Sequence, residues 1–203
     1  MPYEFRPAIN KRFIRFFYDL WCSLGNLGKH FKLHVIQSAG IRDGDTILDI
    51  GCGTGVLLRE VSKKYKNLEL VGVDPDKEVL DIARIRLEKS GVKATLYSEY
   101  AENLSLVSNS VDVVISTLCF HHMPNDIKQQ ASREIYRVLK PSGTVVVADF
   151  GPGRKSPYWF EKKEYMEGNQ KGLIPIFLKE AGFRNVNEVG KHFPGVSIIK
   201  GQK

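Results

Sequence analysis

Three glycines at alternating positions, Gly51, Gly53 and Gly55, follow the run Ile47-Leu48-Asp49-Ile50 and enclose Cys52 and Thr54. Glycine has no Cβ, so the main chain can take positive φ and a ligand can lie against bare backbone. The stretch therefore reads as a ligand-binding turn at the end of a buried strand. Val56, Leu57, Leu58, Val61 and Tyr65 resume at helical spacing, which aims the opening N–H groups of a helix back at the turn. The third glycine comes one residue earlier than in the dinucleotide fingerprint G-x-G-x-x-G, and Val56 follows it, which disfavours NAD or FAD. Asp74 closes a second apolar run, Leu68 to Val73, about 20 residues further on, the spacing at which an acid reaches ribose hydroxyls. Together these residues point to a nucleoside-containing ligand.

A second group of reactive side chains lies in Phe120-His-His-Met-Pro124, directly after the apolar run Val111 to Ser116. If that run is a central strand, its C-terminal end delivers Thr117 to His122 to the crevice where ligands sit in open α/β sheets. A neutral histidine there can take a proton from a hydroxyl or an activated carbon, and His121 and His122 are the candidates. Plain packing, with one ring buried and the other exposed, suits the same pair. Cys22, Cys52 and Cys119 are scattered and lack CxxC spacing, so no disulfide framework or metal site is expected. As a nucleophile Cys119 would need an adjacent base and an exposed thiolate.

The elements that position these residues follow from periodicity. Phe13, Phe17, Leu20 and Leu24 share a helical face, with Phe16, Tyr18 and Trp21 beside it, and Gly25 and Gly28 end that helix. A second helix is expected over Lys29 to Ala39, with Phe31, Val35 and Ile36 inward. After Asp74, Pro75 and Asp76 make a helix start, with the helix running to Lys89 and stopping at Gly91. Lys93 to Ser98 reads as a third strand and Val111 to Ser116 as the fourth. A helix from Pro124 to Leu139, a turn at Lys140 to Gly143 and a strand from Thr144 to Asp149 come next. From 150 to about 170 lies an aromatic, glycine- and proline-rich insertion carrying Tyr158, Trp159 and Phe160, then a short charged helix. A helix over Leu173 to Ala181 and strands over Phe183 to Val189 and Val196 to Lys200 complete the chain, the last two spaced for a hairpin.

Leu48 to Gly55 together with Val71-Gly-Val-Asp74 resembles the class I S-adenosylmethionine-dependent methyltransferases, particularly the branch containing the ubiquinone/menaquinone C-methyltransferases. Ala101 to Val114, Phe120 to Pro124 and Arg133 to Val147 extend the resemblance over roughly residues 40 to 150. It implies an α/β fold, a Rossmann-like three-layer sandwich with a mostly parallel seven-stranded sheet and an antiparallel last strand. It divides the chain into an N-terminal helical cover, 1–40, and a methyltransferase domain, 41–203, with the insertion at about 150–170. The cofactor it implies is S-adenosyl-L-methionine, held by Asp49, Gly51, Cys52, Gly53, Gly55, Asp74 and Pro75, with Glu99, Tyr100, Ala101 and Thr117 closing the site. Tyr100 stands where the family's acidic adenine contact is expected, and Glu99 falls one position earlier. Adenine recognition then rests on Glu99 through a backbone shift, or on main-chain groups near Tyr100 and Ala101. Phe17-Tyr18-Asp19-Leu20 resembles the tyrosine-aspartate element of the family's N-terminal segment, which adds Tyr18 to the catalytic candidates His121 and His122.

Net charge is +7 over 203 residues, concentrated outside the central part. Residues 1–40 carry 6 basic and 2 acidic side chains, and 151–203 carry 10 and 5. Basic ends suit an anionic substrate, an acidic membrane surface or nucleic acid, and also an ordinary lysine-rich surface. No apolar run is long enough to cross a bilayer and the start lacks a signal-peptide core, so a cytoplasmic protein is expected. Ser116 to His121 lacks the Asp/Asn-Pro-Pro-Tyr/Phe motif that holds a base amine, which disfavours methylation of nucleic-acid bases. The favoured reading is methyl transfer to a small, apolar, quinone- or lipid-like acceptor. The alternatives are a nucleic-acid or protein methyltransferase and a noncatalytic partner protein that binds the cofactor.

Overall fold

The structure is a computed structural model, and it describes residues 29–152, 163–189 and 195–203. Its elements are α1 (Lys29–Ala39), β1 (Thr46–Ile50), α2 (Val56–Lys64), β2 (Glu69–Val73), α3 (Lys77–Lys89), β3 (Thr95–Tyr97), β4 (Val111–Thr117), a 3₁₀ turn (Phe120–His122), α4 (Asn125–Val138), β5 (Leu139–Phe150), α5 (Lys163–Gln170), α6 (Ile174–Glu180), β6 (Arg184–Glu188) and β7 (Val196–Gln202). The helix starts are chemically marked. Asp76 accepts hydrogen bonds from Glu78 N and Val79 N to cap α3, and Pro124 precedes α4 with Asp126 in its first turn, where negative charge meets the positive end of the helix dipole.

Seven strands form one sheet in the order β3-β2-β1-β4-β5-β7-β6. β1 pairs in parallel with β2 and β4, and β4 with β5, while β7 runs antiparallel to both β5 and β6. Parallel strands covered on both faces need apolar side chains on both, and the core divides accordingly. Ile47, Val113, Ile115, Val146 and Ala148 face Phe31, Leu58, Val61 and Leu80 from α1, α2 and α3. Leu48, Ile50, Val114, Val145 and Val147 face Ile127, Ala131, Ile135 and Leu178 from α4 and α6. This is the expected three-layer sandwich with an antiparallel last strand. The chain moves outward from β1 to β3 and returns to β4 beside β1, so the order reverses between β1 and β4, and a crevice opens outside their C-terminal ends.

β5 begins at Leu139 rather than Thr144. The register shifts between Val111 and Val113, and Ser142 takes φ +66, so the expected turn at 140–143 is an irregularity inside the strand. α1 is part of the core: Phe31, Val35 and Ile36 are fully buried, and Lys200 Nζ donates to Ser38 O at 3.0 Å to tie its end to β7. Residues 1–28, with Tyr18 and the aromatic helix, and 153–162, with Tyr158, Trp159 and Phe160, lie outside the described residues. Among the described residues no helix is long and apolar enough to cross a membrane.

Candidate active site

The glycine turn is the hinge between β1 and α2, and its three glycines are required for different reasons. All have positive φ, +69 at Gly51, +52 at Gly53 and +73 at Gly55. A Cβ at Gly51 would collide with Cys119 Sγ, and one at Gly55 would meet Ala83 Cβ at 3.2 Å. Among the described residues a Cβ at Gly53 would meet only Gly51 O, at 4.0 Å. Gly51 and Gly55 thus let protein pack closely, whereas Gly53 presents bare backbone that the described residues do not crowd. Gly51 N and Cys52 N both donate to Val73 O, at 2.8 and 3.0 Å, which extends the β1–β2 ladder into the turn. Arg86 of α3 donates to Thr54 O at 2.9 Å and to the Thr54 hydroxyl. Among the described residues no side chain caps α2, and its opening N–H groups point toward the crevice.

Two carboxylates flank this turn. Asp74, at the end of β2, accepts from Gly53 N at 3.0 Å and from Asp76 N at 2.9 Å, which joins the two loops that would enclose a nucleoside. A carboxylate has about four acceptor positions, and its acceptor-only chemistry suits ribose hydroxyls. Asp49 differs: it is 1% exposed, and neither carboxylate oxygen has a hydrogen-bond partner. Burial pushes its pKa up to about 8, with the Lys32 charge opposing and Asp74 adding to the rise. A buried, unpartnered acid at the mouth of a glycine turn fits a cationic ligand group. S-adenosylmethionine has both a sulfonium and an ammonium to offer.

The ends of β4 and β5 supply the second half of the site. Thr117 ends β4 opposite Ala148, Leu118 takes φ +52, and Cys119 packs its thiol on Gly51. The 3₁₀ turn then places His121 Nδ1 2.7 Å from Asp149 Oδ1. Asp149 also accepts from His121 N at 3.2 Å and Phe150 N at 2.7 Å. Burial alone would raise the Asp149 pKa, but the His121 charge and hydrogen bond and the Phe150 N–H outweigh it, and the carboxyl is held below its ordinary value. With Asp149 ionised, Nδ1 carries the proton and Nε2 is the basic nitrogen. His122 stacks 3.9 Å from His121, centroid to centroid. Burial, then the neighbouring His121, pulls its pKa down to about 3, which makes it the weaker base. Cys119 and Cys52 are thiols with pKa values pushed well up by burial and nearby acids.

The loop after β3 holds the remaining expected contacts. Glu99 Oε2 accepts from Ser105 N at 3.0 Å and braces this loop, while Tyr100 O accepts from Asn103 N at 3.1 Å. Ala101 is buried, and the Pro75 carbonyl is 3.5 Å from Ser98 Oγ. Asp49 lies in β1, Gly51, Cys52, Gly53 and Gly55 follow it, and Thr117 ends β4, where the strand order reverses; Asp74 and Pro75 follow β2, and Tyr100 and Ala101 follow the edge strand β3. Asp149 stands outside the residues that motif and spacing single out; its signal is an acid at the end of an otherwise apolar run, Val145-Val-Val-Ala-Asp149.

This combination of a seven-stranded sheet ending in an antiparallel strand, a GxGxG turn and an acid closing β2 is similar to that of the class I S-adenosylmethionine-dependent methyltransferases, and the relatives and neighbours that follow support S-adenosylmethionine as the cofactor. Residues 47–143 match the family described as a methyltransferase domain. The chain is 33% identical over 140 residues to a ubiquinone/menaquinone biosynthesis C-methyltransferase of Hydrogenovibrio crunogenus, covering 66% of this chain and 54% of that protein. It is 31% identical over 138 residues to the protein of the same name from Vibrio cholerae, covering 66% and 52%. The match thus spans about half the length of these relatives. Among solved structures, a SAM-dependent methyltransferase from Aquifex aeolicus superposes with TM-score 0.68 at 23% identity, covering 84% of this chain and 88% of that one. A phosphoethanolamine N-methyltransferase 2 from Haemonchus contortus in complex with S-adenosylhomocysteine and phosphomonomethylethanolamine gives 0.67 at 26% identity, covering 80% and 39%.

Proposed function

We propose that this protein transfers the methyl group of S-adenosylmethionine to a small, apolar acceptor of quinone- or lipid-like character, with His121 as the base that removes its proton. The observation that carries this reading is the buried His121–Asp149 pair on the same short segment whose Cys119 packs against the glycine turn. The cofactor brings an activated methyl group, so the protein has to align a nucleophile and manage one proton. Gly53 and the start of α2 hold the adenosyl and methionyl parts by main-chain groups, Asp74 accepts from ribose hydroxyls, and Asp49 compensates positive charge. Asp149 keeps the proton on Nδ1 of His121, so that Nε2 accepts the acceptor's proton and Asp149 stabilises the imidazolium that results.

The similarity to quinone C-methyltransferases supports a phenolic or quinol-like acceptor, and the basic ends of the sequence suit its delivery from an acidic membrane surface to a cytoplasmic enzyme. The test is incubation of the protein with cell-extract fractions and isotopically labelled methyl donor, read by mass spectrometry. Label in a lipid-soluble aromatic product is the expected result. Label confined to RNA, DNA or protein, or no turnover with any fraction, overturns the reading. If capture depends on the basic ends, binding to vesicles containing anionic lipid weakens as salt rises.

A further inference from the structure

The buried polar groups beside the histidine pair are not all accounted for by the methyl-transfer machinery above. Lys128 of α4 is 0% exposed. Its ammonium donates to Tyr165 O at 2.6 Å and lies 3.5 Å from Asn125 Oδ1, both uncharged, and among the described residues no carboxylate is in ion-pair contact with it. One helical turn after Tyr165 on α5, Asn169 is 1% exposed, and neither its amide oxygen nor its amide nitrogen has a hydrogen-bond partner. The Tyr165 carbonyl lies one turn before Asn169, so the Lys128 ammonium reaches α5 on the turn that leads to Asn169. Asn125 fits against Gly168 so closely that a Cβ there would strike its amide, which fixes α5 against the start of α4. α5 in turn packs on the Phe120–His122 turn and on β5.

A cation without a counter-ion and an amide without partners among the described residues are each unfavourable in a finished core. Brought to the same stretch of α5, which packs on the Phe120–His122 turn and on β5, they mark a candidate binding site. We infer that Lys128 and Asn169 bind the ionised oxygen of the acceptor, a phenolate or enolate, and so fix which of its atoms faces the methyl group. The inference rests on the proposed methyltransferase function and names the acceptor's chemical class. One cation and one amide match a single-oxygen anion. A neutral carbonyl leaves the cation uncompensated, and a phosphate brings three oxygens that need more donors. Among the described residues the charge that acts on Lys128 is that of Asp149 on β5, which opposes the burial that lowers the lysine pKa to about 8; His121 binds that acid and His122 stacks on His121. Asp149 is engaged by His121, so among the described residues Lys128 is left without an ion-pair partner.

The probe is 4-nitrophenol, whose phenolate absorbs visible light, titrated by pH in the presence of protein saturated with S-adenosylhomocysteine. The expected result is that bound probe loses its proton about one pH unit lower than free probe, equivalent to roughly tenfold tighter binding of phenolate than of phenol. Lys128→Met and Asn169→Leu each remove most of this shift while S-adenosylhomocysteine affinity stays at the unmutated level. Asn169→Asp, which sets a carboxylate in the site, moves the transition to higher pH. If Lys128→Met fails to fold, the two Asn169 variants decide. A wild-type protein that leaves the probe's titration unchanged, or a shift that survives in all three variants, overturns the inference while the cofactor assignment stands. Failure of S-adenosylhomocysteine to bind the wild-type protein overturns the methyltransferase reading, and this inference with it.

Discussion

At the scale of single residues, Asp49 shows how the cofactor site is kept in tension. Its pKa is raised from 3.8 to about 8, chiefly by burial, so between those values the folded protein holds a proton that the unfolded chain releases. Stability contributed by this group therefore falls as pH rises through that window and levels off above about 8. Asp49→Asn should melt higher than the wild type near pH 8, by roughly 1–3 kcal/mol of unfolding free energy, because an unsatisfied buried charge is removed. The same substitution should weaken cofactor binding and abolish the rise in affinity with pH that calorimetry should find in the wild type between pH 6 and 8. Unchanged melting and unchanged affinity would refute the role given to Asp49. His121→Asn should lower kcat by roughly 10²- to 10⁴-fold with S-adenosylhomocysteine affinity intact, and His122→Asn, whose ring is a far weaker base, should lower it less. Equal losses in the two variants would remove His121 from the proton-transfer role.

Between elements, the site depends on contacts that lock the glycine turn against its neighbours. Gly55→Ala would force a Cβ to within 3.2 Å of Ala83 at φ +73, and should destabilise the fold by roughly 1–3 kcal/mol through strain in the left-handed region. Arg86→Ala releases Thr54 from α3 and should weaken cofactor binding by about 1–2 kcal/mol, as expected for a lost charged hydrogen bond; calorimetry with folded variants measures both. These contacts also explain what could be read from the chain alone. The glycine turn, Asp74 and the α3 cap lie within short windows whose residue types are dictated by backbone conformation, so spacing revealed them. The partnership of His121 with Asp149 spans 28 residues and that of Lys128 with Tyr165 spans 37. Nothing local distinguishes Asp149 from a strand-end turn residue, or Lys128 from the solvated lysines of an amphipathic helix. Glu99 shows the converse: its position suggested an adenine contact, but one of its oxygens serves the loop that follows.

For the molecule as a whole, the boundary between catalytic domain and N-terminal segment can be drawn from burial. The family resemblance implies a helical cover over 1–40, and within it α1 is packed on α2, β5 and β7. Phe31, Val35 and Ile36 are each fully buried, and burial of such side chains contributes about 1.5–3 kcal/mol apiece. A chain beginning at residue 41 loses that packing and the Lys200 tie to Ser38, and should fail to fold, because the combined loss approaches the whole stability of a typical domain, about 5–15 kcal/mol. A chain beginning at Lys29 keeps every element of the sheet, the glycine turn, Asp74 and the His121–Asp149 pair, and should melt cooperatively and bind S-adenosylhomocysteine. Its methyl transfer should nevertheless be lost if the N-terminal segment covers an apolar acceptor and excludes water during transfer, the gating role of a lid. Three measurements on these two truncations separate the possibilities: thermal melting, product-analogue binding and turnover with the acceptor found by labelling. Full activity of the chain beginning at Lys29 would confine catalysis to the α/β domain and leave Tyr18 without a catalytic role, whereas a folded, cofactor-binding but inactive chain would place the missing function in residues 1–28.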